Sequence, residues 1–306
     1  MAEVAKRPTP SAPEVSRMAA LTRVDTHVHL SRWWHDIKAT GYRNDIDYTL
    51  RGLLHEMDAA GIERSVLIQV NDAPSPPEGY DEARKIVAES GGRLSFVSSV
   101  NPTLGKEAVE EMISLWDATP ELAGVKLFPG YNHFYPDDSR LDPVYEYIAR
   151  RKLRVLIHTG DTMDNLGHVK YARPLPVDEI AVRFRSVPFV ICHLGNPWID
   201  EAMEIIYKNP NVYGDTSGLL AHPSYPLFDR HVELVRKRIQ DAILMTGTAE
   251  RILYGSDWPL IDFKVATSLI ARLDLPEKDR EAILGGNARR LFGLPLPQGA
   301  SRPRSS

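Results

Sequence analysis

The chain is predicted to be an α/β protein folded as a (β/α)8, or TIM, barrel, and two observations point there. Eight short apolar runs alternate with segments of helical periodicity along the 306 residues. The residues with metal-binding chemistry stand where those runs end. In barrels of this class, the C-terminal ends of the strands and the loops after them build the active site.

The expected strands are 23–28, 64–70, 94–100, 122–128, 154–158, 187–193, 212–215 and 251–255. Most are β-branched or broadly apolar, as suits parallel strands covered on both faces. Between them, Leu50, Leu53, Leu54 and Met57 follow helical spacing, with Gly61 as a stop signal. Val109, Met112, Ile113 and Trp116 form a second such face. Val144, Tyr147 and Ile148 form a third, and Ala202, Ile205 and Ile206 a fourth. The competing topology is an open doubly wound sheet. It would gather its site at one switch point and favour a glycine-rich turn after the first strand, where this chain has His27-Val28-His29. The folded unit is expected over residues 21–293, flanked by flexible segments at 1–20 and 294–306 that are rich in Pro, Ser, Ala and Arg.

At 43% hydrophobic, 25% charged and a net charge of -4, the composition is that of an ordinary globular domain. It argues against a nucleic-acid partner, which needs concentrated basic charge. No run is long and apolar enough to suggest a membrane span, and residues 1–20 lack the apolar stretch of a secretory signal. Cys192 is the one cysteine. It cannot form an intrachain disulfide, its simplest role is core packing, and a cytoplasmic setting is expected. Homo-oligomers are common at this size, but no sequence feature sets a number of subunits.

The chemistry lies in Asp25-Thr26-His27-Val28-His29, Lys126, His158, His193 and Asp257. His27 and His29 are two apart on an extended segment, so both side chains are expected to point into the barrel mouth. Neutral imidazoles and a carboxylate suit a divalent ion, with zinc the default. Asp25 is expected below the pair, either orienting it or making a structural hydrogen bond. Lys126 at the mouth needs a reason, because burying an unpaired ammonium is costly. Three roles are open to it: carboxylation to bridge two metals, holding a substrate carboxylate, or pairing with Asp215 or another acid. Asp257 can ligate a metal, accept a proton from metal-activated water, or do both.

Together these motifs resemble the amidohydrolase superfamily. Asp25-Thr26-His27-Val28-His29 is similar to its first-strand metal motif, and His158 and His193 to the histidines ending its fifth and sixth strands. Tyr254-Gly255-Ser256-Asp257-Trp258-Pro259 is similar to its eighth-strand aspartate motif. Gly285-Gly286-Asn287-Ala288-Arg289-Arg290-Leu291-Phe292 resembles the terminal helix of the amidohydrolase-related branch. That branch contains aminocarboxymuconate-semialdehyde decarboxylase and dicarboxylate lactone hydrolases. The resemblance implies metal ligation by His27, His29, His158 and Asp257, with His193 close by to handle protons and Asp257 and His193 as the catalytic pair. Lys126 departs from that branch. It matches the bridging lysine of binuclear hydrolases, in which Lys126 and His193 would serve a second metal. The reading adopted is one metal and an unmodified Lys126.

Candidates for contact with a small-molecule substrate are Arg173 and Tyr171, with His168, after the fifth strand, and His133 and Tyr131 after the fourth. Trp198, His222 and Trp258 follow the sixth, seventh and eighth strands, and Trp33 and Trp34 lie in the first long loop. Arg173 could hold a carboxylate with its planar fork. The expected activity is metal-dependent hydrolysis of an ester, lactone or amide of a small carboxylated molecule. Nonoxidative decarboxylation of an unsaturated or aromatic acid is the alternative. A purely structural metal cluster is disfavoured, because histidines and an acid gathered at strand mouths are costly to arrange without use.

Overall fold

The computed structural model describes residues 23–32, 46–70, 75–221 and 223–295. Its strands are β1 (Arg23–Val28), β2 (Ile62–Ile68), β3 (Leu94–Ser99), β4 (Leu122–Leu127), β5 (Arg154–Ile157), β6 (Phe189–Ile191), β7 (Val212–Asp215) and β8 (Ile252–Leu253). They form one sheet in sequential order with every pairing parallel, which excludes the reversal of strand order in a doubly wound sheet. The β8 side meets β1 through Thr26 N to Tyr254 O (2.9 Å), Asp257 N to His27 O (2.9 Å) and His29 N to Trp258 O (2.8 Å). All eight expected strands form, several of them ending one or more residues earlier than the apolar runs. His29, His158, His193 and Asp257 therefore stand just past strand ends, in the layer that faces the mouth.

Period-two alternation sorts the strand side chains into two layers. Val66, Val97, Leu156, Val190 and Cys192 pack together inside the barrel, while Phe96, Val125, Val155, Phe189 and Ile191 face the surrounding helices. The same alternation turns Lys126 inward, between the outward Val125 and Leu127. β1 departs from it. A register shift between Asp25 and Val28 leaves Val24 in the inner layer and Val28 in the outer one. Asp25 is thereby turned to the β1–β8 seam, where its carboxylate accepts from His27 N (2.8 Å) and Ser256 N (3.0 Å). Of the two roles open to Asp25, it takes the structural hydrogen bond. It holds the backbone of His27 without contacting the imidazole, and burial raises its carboxyl to about 7.

The helix faces read from the sequence are buried as expected. In α1 (Leu50–Ala60), Leu53 and Met57 are fully buried, and Gly61 caps the helix in the left-handed region at φ 68°. The terminal helix (Asn287–Phe292) sends Leu291 and Phe292 into the inner cluster, and Leu291 O accepts from Arg154 at the start of β5 (2.5 Å). It thus closes the end of the barrel opposite the mouth. Among the described residues, no helix is long and apolar enough to cross a membrane.

Candidate metal centre

His27 Nε2, His29 Nε2 and the Asp257 carboxylate converge at the mouth. Asp257 Oδ1 lies 3.6 Å from the first nitrogen and 3.5 Å from the second, and the three ligand atoms fall within 4.8 Å of one another. The trio lines a cavity of about 550 Å³ together with His158, His193 and Lys126. His193 and Asp257 both hold left-handed backbone (φ 60° and 70°), a conformation rare for side-chain-bearing residues and enriched at functional sites. Each is pinned there by its own N–H: His193 N donates to Asp215 Oδ1 (2.9 Å) and Asp257 N to His27 O.

Every imidazole has one nitrogen committed outward to an oxygen. His27 Nδ1 meets Asp215 Oδ2 (2.9 Å), and His29 Nδ1 meets Ile68 O (3.1 Å). His158 Nε2 meets Asp161 O (2.9 Å), and His193 Nδ1 meets Ser217 O (3.1 Å). Carbonyl and carboxylate acceptors require N–H on those outward atoms, so the inward nitrogens carry lone pairs. Burial, followed by positive neighbours that include Lys126, holds all four rings below the ordinary histidine range, His29 at about 3. They are neutral at physiological pH, the form in which an imidazole can bind a metal. His158 Nδ1 and His193 Nε2 then face each other at 3.1 Å, lone pair to lone pair, a contact that a cation would relieve. This donor set fits a divalent ion on His27, His29 and Asp257, with His158 as the adjacent fourth ligand. The expected grouping is thus only partly compact. The first three gather, while His158 is aimed at His193.

A second close group, His27, His193 and Asp215, lies behind the first. The Ser217 hydroxyl occupies its middle, 2.9 Å from His27 Nδ1 and 2.8 Å from His193 Nδ1, and also bonds Asp215. These nitrogens are donors, so the group is a hydrogen-bond network that orients two rings. Asp215 is the principal site residue not anticipated in this role. Gly218 is another. Its φ is 62°, and a Cβ there would lie 2.7 Å from Asp257 Oδ2.

Lys126 is fully buried. Its Nζ lies 3.3 Å from His27 Nε2 and 3.1 Å from Cys192 Sγ, over the Phe128 ring. Among the described residues, no carboxylate lies within 4.0 Å of it, so the pairing with Asp215 does not form. As placed, the ammonium caps the lone pair that His27 would offer a metal. Ligation requires Nζ to turn away toward an anion in the cavity, or to lose its charge. Burial of the free Cys192 agrees with the packing role expected for it.

Most loop candidates sit elsewhere. Arg173 is exposed, bonds Glu201 at 2.8 and 3.2 Å and covers Trp198, so both belong to a surface cluster. His133 and Tyr171 stack at 5.8 Å beside His168, away from the cavity lining. Trp258 is fully buried between Tyr48 and Phe263, with Nε1 on Glu56 (3.0 Å). Trp33, Trp34 and His222 lie outside the described residues. Of the loop candidates Tyr131 does line the cavity, and with it the loops bring Asn132, Asp161, Asp164 and Asn196 there. Because Arg173 is a surface ion pair, Arg173→Ala is expected to leave KM within about twofold of wild type. Steady-state kinetics check this, and a large rise in KM would return Arg173 to the site.

No curated protein sequence matches the chain. Solved structures do. A 2,6-dihydroxybenzoate decarboxylase from Rhizobium has 19% identity and a TM-score of 0.62, with 89% of this chain and 99% of that one covered. A structure described as a probable 2-pyrone-4,6-dicarboxylic acid hydrolase from Acinetobacter baumannii, with citric acid bound, has 18% identity and a TM-score of 0.64 over 89% and 99%. An amidohydrolase from Burkholderia multivorans with bound zinc has 18% identity and a TM-score of 0.67 over 90% and 100%. At these identities the likeness is one of fold. The amidohydrolase family profile matches residues 24–294, which is nearly the whole barrel and includes every residue of the centre just described, and the chain belongs to that family.

Proposed function

We propose that the protein is a hydrolase dependent on one divalent metal, zinc by default, acting on an ester, lactone or amide of a small carboxylated molecule. The observation that carries this reading is the convergence of His27 Nε2, His29 Nε2 and Asp257 on one point of the cavity floor. These residues and His158 would hold the ion, which when bound supplies Lewis acidity toward water and a carbonyl oxygen. Asp257 accepts the proton of the attacking water and returns it to the leaving group. In the metal-free site burial raises its carboxyl to about 7, and a bound cation would lower it from there. His193, with its lone pair at Nε2, faces the cavity next to His158 and assists proton movement. The Lys126 ammonium leaves His27 and pairs with the substrate carboxylate, which neutralises both charges. Val70, Phe128, Leu260 and Ile261 supply an apolar wall for the body of the substrate.

Decarboxylation is the second reading. It draws on the buried ammonium, which suits an acid held beside the metal site, and on the likeness of fold to the Rhizobium decarboxylase. In that case His193 or Asp257 would protonate carbon. A screen of carboxylated esters, lactones, amides and aromatic acids in 18O water separates the two. Hydrolysis places solvent oxygen in the acid product, whereas decarboxylation releases carbon dioxide and leaves no solvent oxygen in the organic product. Turnover should vanish on dialysis against a chelator and return with zinc or manganese. Full turnover in verified metal-free protein would contradict both readings.

The metal-free carboxyl of Asp257 binds a proton below about pH 7, while the histidines are already neutral there. Metal binding then displaces one proton. Apparent zinc affinity is expected to rise about tenfold per pH unit up to about pH 7 and to level off above it. Competition titrations with a chromogenic chelator measure the slope. A flat profile would remove Asp257 from the ligand set.

A further inference from the structure

We propose that Tyr131 is a substrate-contacting residue whose phenolic O–H donates a hydrogen bond to an oxygen of the bound molecule beside His158. This deepens the reading of the cavity as the substrate site and rests on it. Tyr131 lines that cavity. Its ring packs edge-on against His158 at 4.7 Å and against Phe128 at 6.5 Å, which fixes its direction. Its hydroxyl oxygen accepts from Met163 N at 3.1 Å. That bond uses a lone pair and leaves the phenolic proton without an acceptor among the described residues. The half-buried hydroxyl lines the cavity, and a ligand oxygen arriving there can accept its proton. The two contacts and the Met163 tether orient the donor before the ligand arrives, which is what makes such a bond effective.

The purely structural alternative is that the hydroxyl only tethers the loop at Met163. Benzoate serves as the probe, since it joins a carboxylate to a ring that the apolar wall can hold. Zinc-loaded full-length protein carrying 13Cζ-labelled tyrosine is titrated with benzoate, and the Tyr131 resonance is identified by its loss in Tyr131→Phe. That variant keeps the ring and its packing. The expected result is a shift of the Tyr131 resonance in unmutated protein and benzoate affinity about 10- to 100-fold weaker in Tyr131→Phe, the range for a hydrogen bond to a charged group. A tether would leave the affinity unchanged in Tyr131→Phe. An unshifted resonance, unchanged affinity in the variant, or no benzoate binding to wild type would each overturn the inference. Benzoate is not hydrolysed, so the outcome is independent of the reaction. A Tyr131 shift in a protein without hydrolytic turnover would remove the hydrolase reading alone.

Discussion

Asp257→Asn is expected to lower turnover by ~10²–10⁴-fold, the contribution of a positioned acid–base group, while the barrel remains folded. The amide keeps the size of the side chain and loses the negative charge that a cation on His27 and His29 needs. It also loses the site that receives the proton of water. The backbone N–H to His27 O is untouched, so the β1–β8 seam should survive. Circular dichroism and thermal unfolding confirm folding, and kcat and KM are compared at saturating metal. Near wild-type kcat in this variant would move the proton acceptor elsewhere, with His193 the next group in the cavity.

Trp258→Ala is expected to cost about 3–5 kcal/mol of stability, as large aromatic truncations in cores do. Trp258 has no exposed surface, stacks on Tyr48 and Phe263 and donates to Glu56. Its removal opens a cavity in the layer between barrel and helices and leaves that carboxylate without its indole partner. Urea unfolding should show a lower midpoint with an unchanged slope. Trp258→Phe should lose less stability and keep KM. A Trp258→Phe variant with wild-type stability and a strongly raised KM would place the indole against substrate after all.

The contrast between these neighbours shows what the sequence can carry. Asp257 was legible because a strand end is a fixed address. Once eight runs are recognised, His27, His29, Lys126, His158, His193 and Asp257 must surround one opening, whatever the loops do. Trp258 follows the residue whose left-handed backbone reverses the chain's facing, and no spacing rule announces such a turn. Apart from Tyr131, the loop contacts were unreadable for a similar reason. The segment after β5 folds back so that Gly160 N bonds Ala172 O and His168 N bonds Gly130 O. That path brings Asp161 and Asp164 to the cavity and leaves Tyr171 and Arg173 outside it. Asp25 fell to the seam through a register shift inside β1. Asp215 was visible as an inward acid at the end of β7. Its pairing with His27 Nδ1 at 2.9 Å, and not with Lys126, is set only by the assembled barrel.

The proposed hydrolysis depends on one metal ion held by His27, His29 and Asp257. The direct measurement is a crystal structure of zinc-loaded protein with anomalous data recorded at the zinc edge. The expected result is a single strong peak about 2.0–2.2 Å from His27 Nε2, His29 Nε2 and an Asp257 oxygen, with His158 drawn toward it and an unmodified Lys126 turned away from His27. Two fully occupied peaks about 3.5–4 Å apart, bridged by a carboxylated Lys126, would contradict it, as would a zinc-loaded crystal with no peak on these three residues.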